Sequence, residues 1–362
     1  MTPLEGIVRA EIAQRGPLSV ARYMALCLGH PRHGYYMTRQ PFGAEGDFLT
    51  APEACQIFGE LTGLWVMMAW QGMGAPDPFH LVELGPGRGV LMADMLRAMG
   101  VLPDCRKAVR VHLVETSPRL RAEQQKTLAG SDVSLRWHGE ISTLPEGPMI
   151  VVANEFFDAL PVHHYERVRE GWRERMVVVD ASGALGFAAV GDVLAEVPDW
   201  AADLPVGAVI ELSPERRALA GALGARLAAC GGAFLTLDYG HVHPGAGETL
   251  QAVHGHEKVN VFFRPGMSDL TAHVDFSALG AALAAGGLKV CAPMTQGEFL
   301  LRMGLRERLD ALLKTARAEQ ARILRKGAER IAGPKGMGQL FKALAAVPAG
   351  MACVAPFREM KG

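Results

Sequence analysis

The sequence predicts an α/β fold: a mostly parallel sheet covered by helices on both faces. Two observations carry this. From residue 79 onward, short apolar runs alternate with helix-spaced stretches, the rhythm expected when parallel strands are joined by helical crossovers. The first of those runs, Phe79–Leu84, passes directly into three closely spaced glycines and then into a helical stretch. At such a junction an open α/β sheet receives its ligand.

Residues 1–40 read as helical pieces. Ile7, Ile12, Leu18 and Met24 are separated by charged or small residues, with breaks at Gly16-Pro17 and Pro31. The Gly- and Pro-rich stretch 40–53 is expected to be a loop, followed by a strongly apolar helix from Ala54 to about Met73. Strands are expected at Phe79–Leu84, Val109–Val114, 133–137, 149–153 and 233–238, with a helix over 90–99 between the first two. Short strands at 162–168, 173–179 and 184–190 break the alternation and suggest an antiparallel insertion. A Gly- and His-rich loop to about Gly266 then precedes a helix over 275–285, and 288–292 with 351–356 form a final strand pair. Leu305, Leu309, Leu312, Leu313, Ala316, Leu324, Ala328 and Ile331 share one stripe, which predicts a single amphipathic helix over 304–331. The expected division is an N-terminal helical segment over 1–78 carrying an active-site loop at 40–53 and a core over 79–159 and 231–362. An insertion covers 160–230, and a helical region over 302–346 precedes the last strand. No internal repeat is visible.

Composition narrows the function classes. The chain has 362 residues, enough for roughly two domains of about 150 residues each. Hydrophobic residues make up 49% and charged residues 21%, which excludes a disordered chain. The formal net charge of −1 argues against a polyanion-seeking molecule as a whole. Six scattered cysteines without a CxxC argue against a disulfide framework or a zinc knuckle and fit a reducing compartment. The start lacks the apolar core of a signal peptide. The uncharged windows 61–76 and 343–357 are shorter than the ~20 residues of a spanning helix. No membrane insertion is expected, and nothing fixes the oligomeric state, a homodimer being one candidate.

The most informative stretch is Leu81-Val82-Glu83-Leu84-Gly85-Pro86-Gly87-Arg88-Gly89-Val90. Its spacing is G-x-G-x-G. A dinucleotide G-x-G-x-x-G would need glycine where Val90 stands, which disfavours an NAD oxidoreductase. With Glu83 ahead of it, the stretch is similar to the first motif of class I S-adenosylmethionine-dependent methyltransferases. The second strand leads into Glu115, placed to hydrogen-bond two ribose hydroxyls, a device NAD enzymes share. After the third strand comes His138-Gly139-Glu140-Ile141. In methyltransferases of this class an acidic side chain here reaches the adenine amino group, and the following backbone reads the ring. The fourth strand ends in Ala153-Asn154-Glu155-Phe156-Phe157-Asp158, directing Asn154, Glu155 and Asp158 toward the methyl acceptor. Each carboxylate taken alone reads equally well as a solvated loop residue; their order along the chain favours a site.

Several blocks together resemble one family. They are Gly43-x-x-Gly46-Asp47-Phe48-x-Thr50-Ala51-Pro52-Glu53, Phe58-Gly59-Glu60, the run from Val82 to Gly89, and Val114-Glu115-x-Ser117-Pro118. The run from Ala153 to Pro161, Asp238-Tyr239-Gly240 and Leu270-Thr271-Ala272-His273-Val274-Asp275-Phe276 complete the set. The sequence resembles the MidA-like (DUF185) methyltransferases, a family that includes a mitochondrial complex I assembly factor methylating an arginine of a complex I subunit. The resemblance implies a Rossmann-like class I methyltransferase fold, a seven-stranded mostly parallel sheet with an N-terminal helical segment and an inserted α+β region. It implies S-adenosyl-L-methionine as cofactor and a protein arginine as acceptor, with a complex I subunit as a candidate partner. The setting it implies is a bacterial cytoplasm, or the mitochondrial matrix in a eukaryote.

The cofactor-binding candidates are Glu83, Gly85, Pro86, Gly87, Gly89, Glu115, Ser117, Glu140, Ile141 and Asn154. A guanidinium stays protonated at neutral pH, so its nitrogens are poor nucleophiles; carboxylates can hold its fork and accept a proton. The catalytic candidates are therefore Glu155 and Asp158 first, Asp47 and Glu53 on the early loop second, and His273 as a further proton acceptor, with Asp238, Tyr239 and Asp275 completing the pocket. The loops 43–53 and 241–266 could close over the site or be ordered connections.

Three other readings compete with this one. His241-Val242-His243 and His254-Gly255-His256 invite a metal, but no fixed Cys or carboxylate spacing accompanies them, so no metal is expected. Residues 302–342 carry eleven basic residues against four acidic ones. Such a run is more often the solvated face of a helix than a nucleic-acid surface, and Tyr and Trp are scarce. Methylation of a nucleic acid or small molecule is thus an alternative, as is an assembly factor with a vestigial methyltransferase fold.

Overall fold

The computed structural model describes residues 1–39 and 49–360. Asp47 and most of the expected early loop lie outside them. The chain divides into two compact units: Met1–Phe48, Asp158–Ala218 and His243–His273 form the first, and Leu49–Phe157, Leu219–Val242 and Val274–Gly362 the second. Residues 49–78 therefore group with the glycine motif, and 243–273 with the N-terminal helices.

The second unit is built on one large sheet. Its main strands are β1 (Phe79–Leu84), β2 (Val109–Val114), β3 (Ser134–His138), β4 (Met149–Asn154), β5 (Gly232–His241), β6 (Leu288–Val290) and β7 (Phe341–Pro348). They lie in the order β6-β7-β5-β4-β1-β2-β3, with the short strands Val274–Asp275 and Met294–Thr295 attached to β5 and β7. The run from β5 to β3 is parallel, and β7 is antiparallel to both neighbours. The reversal of connection order between β1 and β4 is where this topology leaves a crevice.

Helix Gln56–Gly72 covers one face and is apolar nearly all round, as expected of a buried helix. Helix Val90–Ala98, which continues from the glycine loop, packs closely upon it. A Cβ built on Gly59 would lie 2.4 Å from the Asp94 Cβ, so only glycine allows this approach. Glu60 ties the same helices together, accepting from Gln56 and Arg97 and, through both oxygens, from Arg308 at 2.6 and 3.1 Å. Among the described residues no helix is long and apolar enough to cross a membrane.

The first unit joins helices Pro3–Arg15 and Val20–Gly29 to two antiparallel sheets. Thr2 and Ser19 cap the two helices, and Gly16 stops the first, as the Gly16-Pro17 break suggested. Strands His163–Val168, Gly171–Val179 and Leu185–Ala188 pair antiparallel, and Val209–Leu212 adds to the edge. Tyr23, Met24, Tyr35, Val177 and Leu270 are buried in the core of this unit.

Four expectations need correction. The 304–331 helix is two, Leu305–Leu313 and Ala318–Ala332; Arg317 takes extended backbone between them, and its N–H donates to Gln320. The partner of Leu288–Val290 is Phe341–Pro348, not 351–356, because the chain turns at Met351, whose N–H donates to the Pro348 carbonyl. The loop to Gly266 holds a hairpin, Gln251–His254 with Glu257–Val259. Its two-residue turn, Gly255-His256, has both φ angles positive, the mirror-image turn that fits strand twist. Finally, Cys291 and Cys353 form a disulfide that scattered spacing did not suggest, since it depends on where β6 and β7 end.

Candidate active site at the strand ends of the second unit

The site starts at the end of β1. Gly85, Gly87 and Gly89 have φ of 60°, 52° and 82°, values that L side chains rarely adopt. At Gly85 a Cβ would also lie 2.8 Å from the Phe156 ring. The loop is thus folded against the residues that follow β4. Glu83 is 3% exposed, and its Oε2 meets no hydrogen-bond partner among the described residues. Burial alone pushes its carboxyl up to about 8.

The end of β2 is fastened to that loop. Glu115 Oε1 accepts from the Ser117 N–H at 2.7 Å, and its Oε2 from Gln124 Nε2 at 3.3 Å. The same Gln124 nitrogen donates to the Gly87 carbonyl at 2.8 Å, while its Oε1 accepts from Trp137 Nε1 at 2.9 Å. Arg121 donates twice to the Glu115 carbonyl. Burial raises the Glu115 carboxyl, opposed by the Ser117 N–H and Gln124. Ser117 also caps helix Pro118–Thr127. Gln124 and Trp137 were not among the expected residues; a helix glutamine far from any strand end carries no local signal.

At the end of β4, Asn154 is buried and its Oδ1 has no partner among the described residues. Glu155 has φ of 49°, a conformation costing about 1–3 kcal/mol and common at functional sites. Its Oε1 accepts from the Ala51 N–H at 3.1 Å and Asn154 Nδ2 at 3.2 Å. Asp238, expected to line the pocket, accepts from the backbone N–H of Phe156, Phe157 and Tyr239 and so shapes the turn. Glu53 lies 3.6 Å from Arg88 in the glycine loop; burial raises its carboxyl and Arg88 opposes this. Glu140 is exposed beyond β3, next to partly buried Ile141. Asp275 caps helix Phe276–Ala285.

Asp158 and His273 fall in the first unit, where Arg216 gathers their backbones. Its guanidinium donates to the carbonyls of Asp158, Leu160, Ala272 and His273 at 2.7–3.2 Å. In the same unit the Tyr36 hydroxyl donates to Asp269. His254, one of the paired histidines that invite a metal, bonds the Met267 carbonyl through Nδ1.

The residues fit S-adenosylmethionine. A buried carboxylate oxygen without a partner among the described residues suits an ammonium group, a second strand-end carboxylate suits a ribose diol, and the positive-φ glycines turn bare backbone at the strand end. A family model described as "Putative S-adenosyl-L-methionine-dependent methyltransferase" matches residues 61–294. The chain belongs to this family. It is a methyltransferase that uses S-adenosylmethionine as its cofactor. Among its relatives, "Protein arginine methyltransferase NDUFAF7 homolog, mitochondrial" of Drosophila melanogaster is 38% identical, covering 94% of this chain and 84% of the relative. The Homo sapiens protein arginine methyltransferase NDUFAF7 is 36% identical over 96% of this chain and 84% of its own. A Burkholderia thailandensis crystal structure bound to S-adenosyl-homocysteine superposes with a TM-score of 0.84 at 30% identity, covering 95% of this chain and 91% of the other.

Proposed function

We propose that this methyltransferase transfers its methyl group to an arginine side chain of a protein, and that Glu155 holds the guanidinium. The observation that carries the reading is Glu155 itself: a carboxylate at the end of β4, its backbone strained and its Oε1 fixed by two donors. Relatives named as protein arginine methyltransferases support the acceptor class.

When bound, the cofactor supplies an electrophilic sulfonium methyl. The chain's share is mainly to position two reactants, an effect that can account for several kcal/mol of the barrier. Glu83, the Gly85–Gly89 loop and Glu115 would hold the donor, with Asn154, Glu140 and Ile141 as its further contacts. With Oε1 held by Ala51 and Asn154, Glu155 would orient one edge of the guanidinium through Oε2 by charge-assisted hydrogen bonding and leave the far nitrogen toward the donor. Glu53 is the next carboxylate to receive a proton.

A complex I-type subunit is the first protein to examine as acceptor, in a bacterial cytoplasm or, in a eukaryote, the mitochondrial matrix. The test is mass spectrometry of host proteins with and without the gene. Loss of a methyl-arginine peptide, restored by the parent chain and not by Glu155→Gln, is the expected result. Changes confined to RNA or small molecules would remove the arginine assignment.

A further inference from the structure

The crossover from β3 to β4 is unusual in this sheet. Between Gly139 and Pro148 it contains only a three-residue helical turn, Ile141–Thr143, with no buried residue in it. Leu144 is the one buried apolar side chain along the stretch. A segment so exposed has little apolar area to hold it in place. Polar tethers replace that packing.

Three histidines on adjacent strands form a hydrogen-bonded ladder beside this crossover. His80 Nδ1 lies 2.9 Å from His112 Nε2, and His112 Nδ1 lies 2.9 Å from His138 Nε2. His138 Nδ1 in turn lies 2.9 Å from Thr143 Oγ1, which is also 2.9 Å from the Glu140 carbonyl. At the other end His80 hydrogen-bonds the Glu146 backbone, and its Nε2 faces Gly147. The ladder therefore touches the crossover at its entry, through Thr143, and at its exit, through Glu146. Arg226 adds a third tether by donating to the Leu144 and Pro145 carbonyls.

The ladder works as a unit. His112 is 2% exposed, and burial, with the neighbouring histidines and Arg136, holds its imidazole down to about 3. Burial, with Arg110, Arg136, Arg226 and Arg121, lowers His80 and His138 as well, opposed by hydrogen bonds to the Glu146 and Thr143 backbones. The rings are thus neutral at physiological pH, each with one donor and one acceptor nitrogen. Each ring-to-ring link needs a donor nitrogen on one ring and an acceptor on the next, so the three tautomers are set together. Removing the middle ring leaves unpaired nitrogens on both outer ones, which is more costly than losing one exposed contact.

We propose that the His80–His112–His138 ladder positions the 139–147 crossover so that it can grip the adenine ring of the cofactor, making His112 a positioning residue for base recognition. The inference rests on the reading of Glu140 and Ile141 as the adenine contacts. It adds that their placement is controlled from inside the sheet.

The test is calorimetry on the full chain with two probes, S-adenosylhomocysteine and S-inosylhomocysteine, in which a carbonyl replaces the adenine amino group. The parent is expected to prefer the adenine form by roughly tenfold, the net worth of one hydrogen bond. His112→Leu should weaken S-adenosylhomocysteine by about tenfold and the inosine form far less, so the preference collapses. Thr143→Val, at an exposed position, should do the same to a smaller degree, about threefold. Collapse of the preference is the readout that general loosening of the fold would not produce. If folded variants keep both affinities within about twofold of the parent, the ladder proposal is wrong. If His112→Leu does not fold, Thr143→Val decides alone. A parent that binds both probes equally overturns the adenine reading and the proposal with it; a parent that binds neither removes the cofactor site itself.

Discussion

The ends of β1 and β2 and the end of β4 belong to one sheet and are built by different means. At the first, Glu115, Ser117, Gln124, Trp137 and Gly87 are joined by hydrogen bonds over sequence separations of at most 37 residues. At the second, Glu155 is fixed by Ala51, 104 residues away, and the backbone after it by Asp238, more than 80 residues away. On the proposed reading, the donor-holding side would be a local device that a βαβ unit can carry by itself, and the acceptor side would exist only once distant segments have met. The two meet where Phe156 packs over Gly85.

That contact gives the largest expected effect. Gly85→Val meets both a positive φ and the Phe156 ring, so it should weaken S-adenosylhomocysteine binding by roughly 100-fold or more. It should also disturb Glu155, abolishing transfer. Calorimetry and a methyl-transfer assay on the same protein check both halves.

Glu155→Gln separates the sides. It keeps an oxygen for the Ala51 N–H and loses the charge. Transfer is expected to fall by about 100-fold, with cofactor affinity within about twofold of the parent. An equal fall in both would show that the two ends are not independent.

The pH dependence sharpens the donor side. Without a ligand, Glu83 is raised to about 8 against an ordinary 4.5. The folded chain therefore holds a proton that the unfolded chain has released, and unliganded stability falls as pH rises from about 4.5 through 8. A bound ammonium group favours the ionised carboxylate. Affinity for S-adenosylhomocysteine should then rise between pH 6 and 8, by up to about tenfold per unit, and level off above. Glu83→Gln should flatten this profile.

The smallest effect belongs to Gln124. Gln124→Leu cuts the tie between Gly87 and Glu115 and should cost about fivefold in cofactor affinity, with little change in the acceptor step at saturating donor. Steady-state titration of donor and acceptor separately checks it.

The same contrast explains what could be read in the sequence. Phe79–Leu84 and Val109–Val114 are expected with their observed bounds, because mostly buried parallel strands appear as short apolar-rich runs, here closed by Gly85 and Glu115. The glycine loop, Glu83 and Glu115 follow from those strand ends. Gln124 was hidden because a helix position says nothing about a loop carbonyl 37 residues earlier. The hairpin around Gly255-His256 was hidden because its strands are short and mostly polar. Phe341–Pro348 has eight strand residues, yet its partner is settled by register rather than by hydrophobicity, and the Cys291–Cys353 pairing follows from that register across 62 residues. The histidine ladder was equally invisible: His80, His112 and His138 lie on three strands and meet only when those strands align.

The central claim is that the glycine bend after β1 is the seat of the cofactor. Calorimetric titration of S-adenosylhomocysteine into the parent chain and into Gly87→Val tests it most directly. Saturable one-to-one binding by the parent, lost in a variant that unfolds at the parent's temperature, is the predicted result. A parent that does not bind, or a folded variant with unchanged affinity, would contradict it.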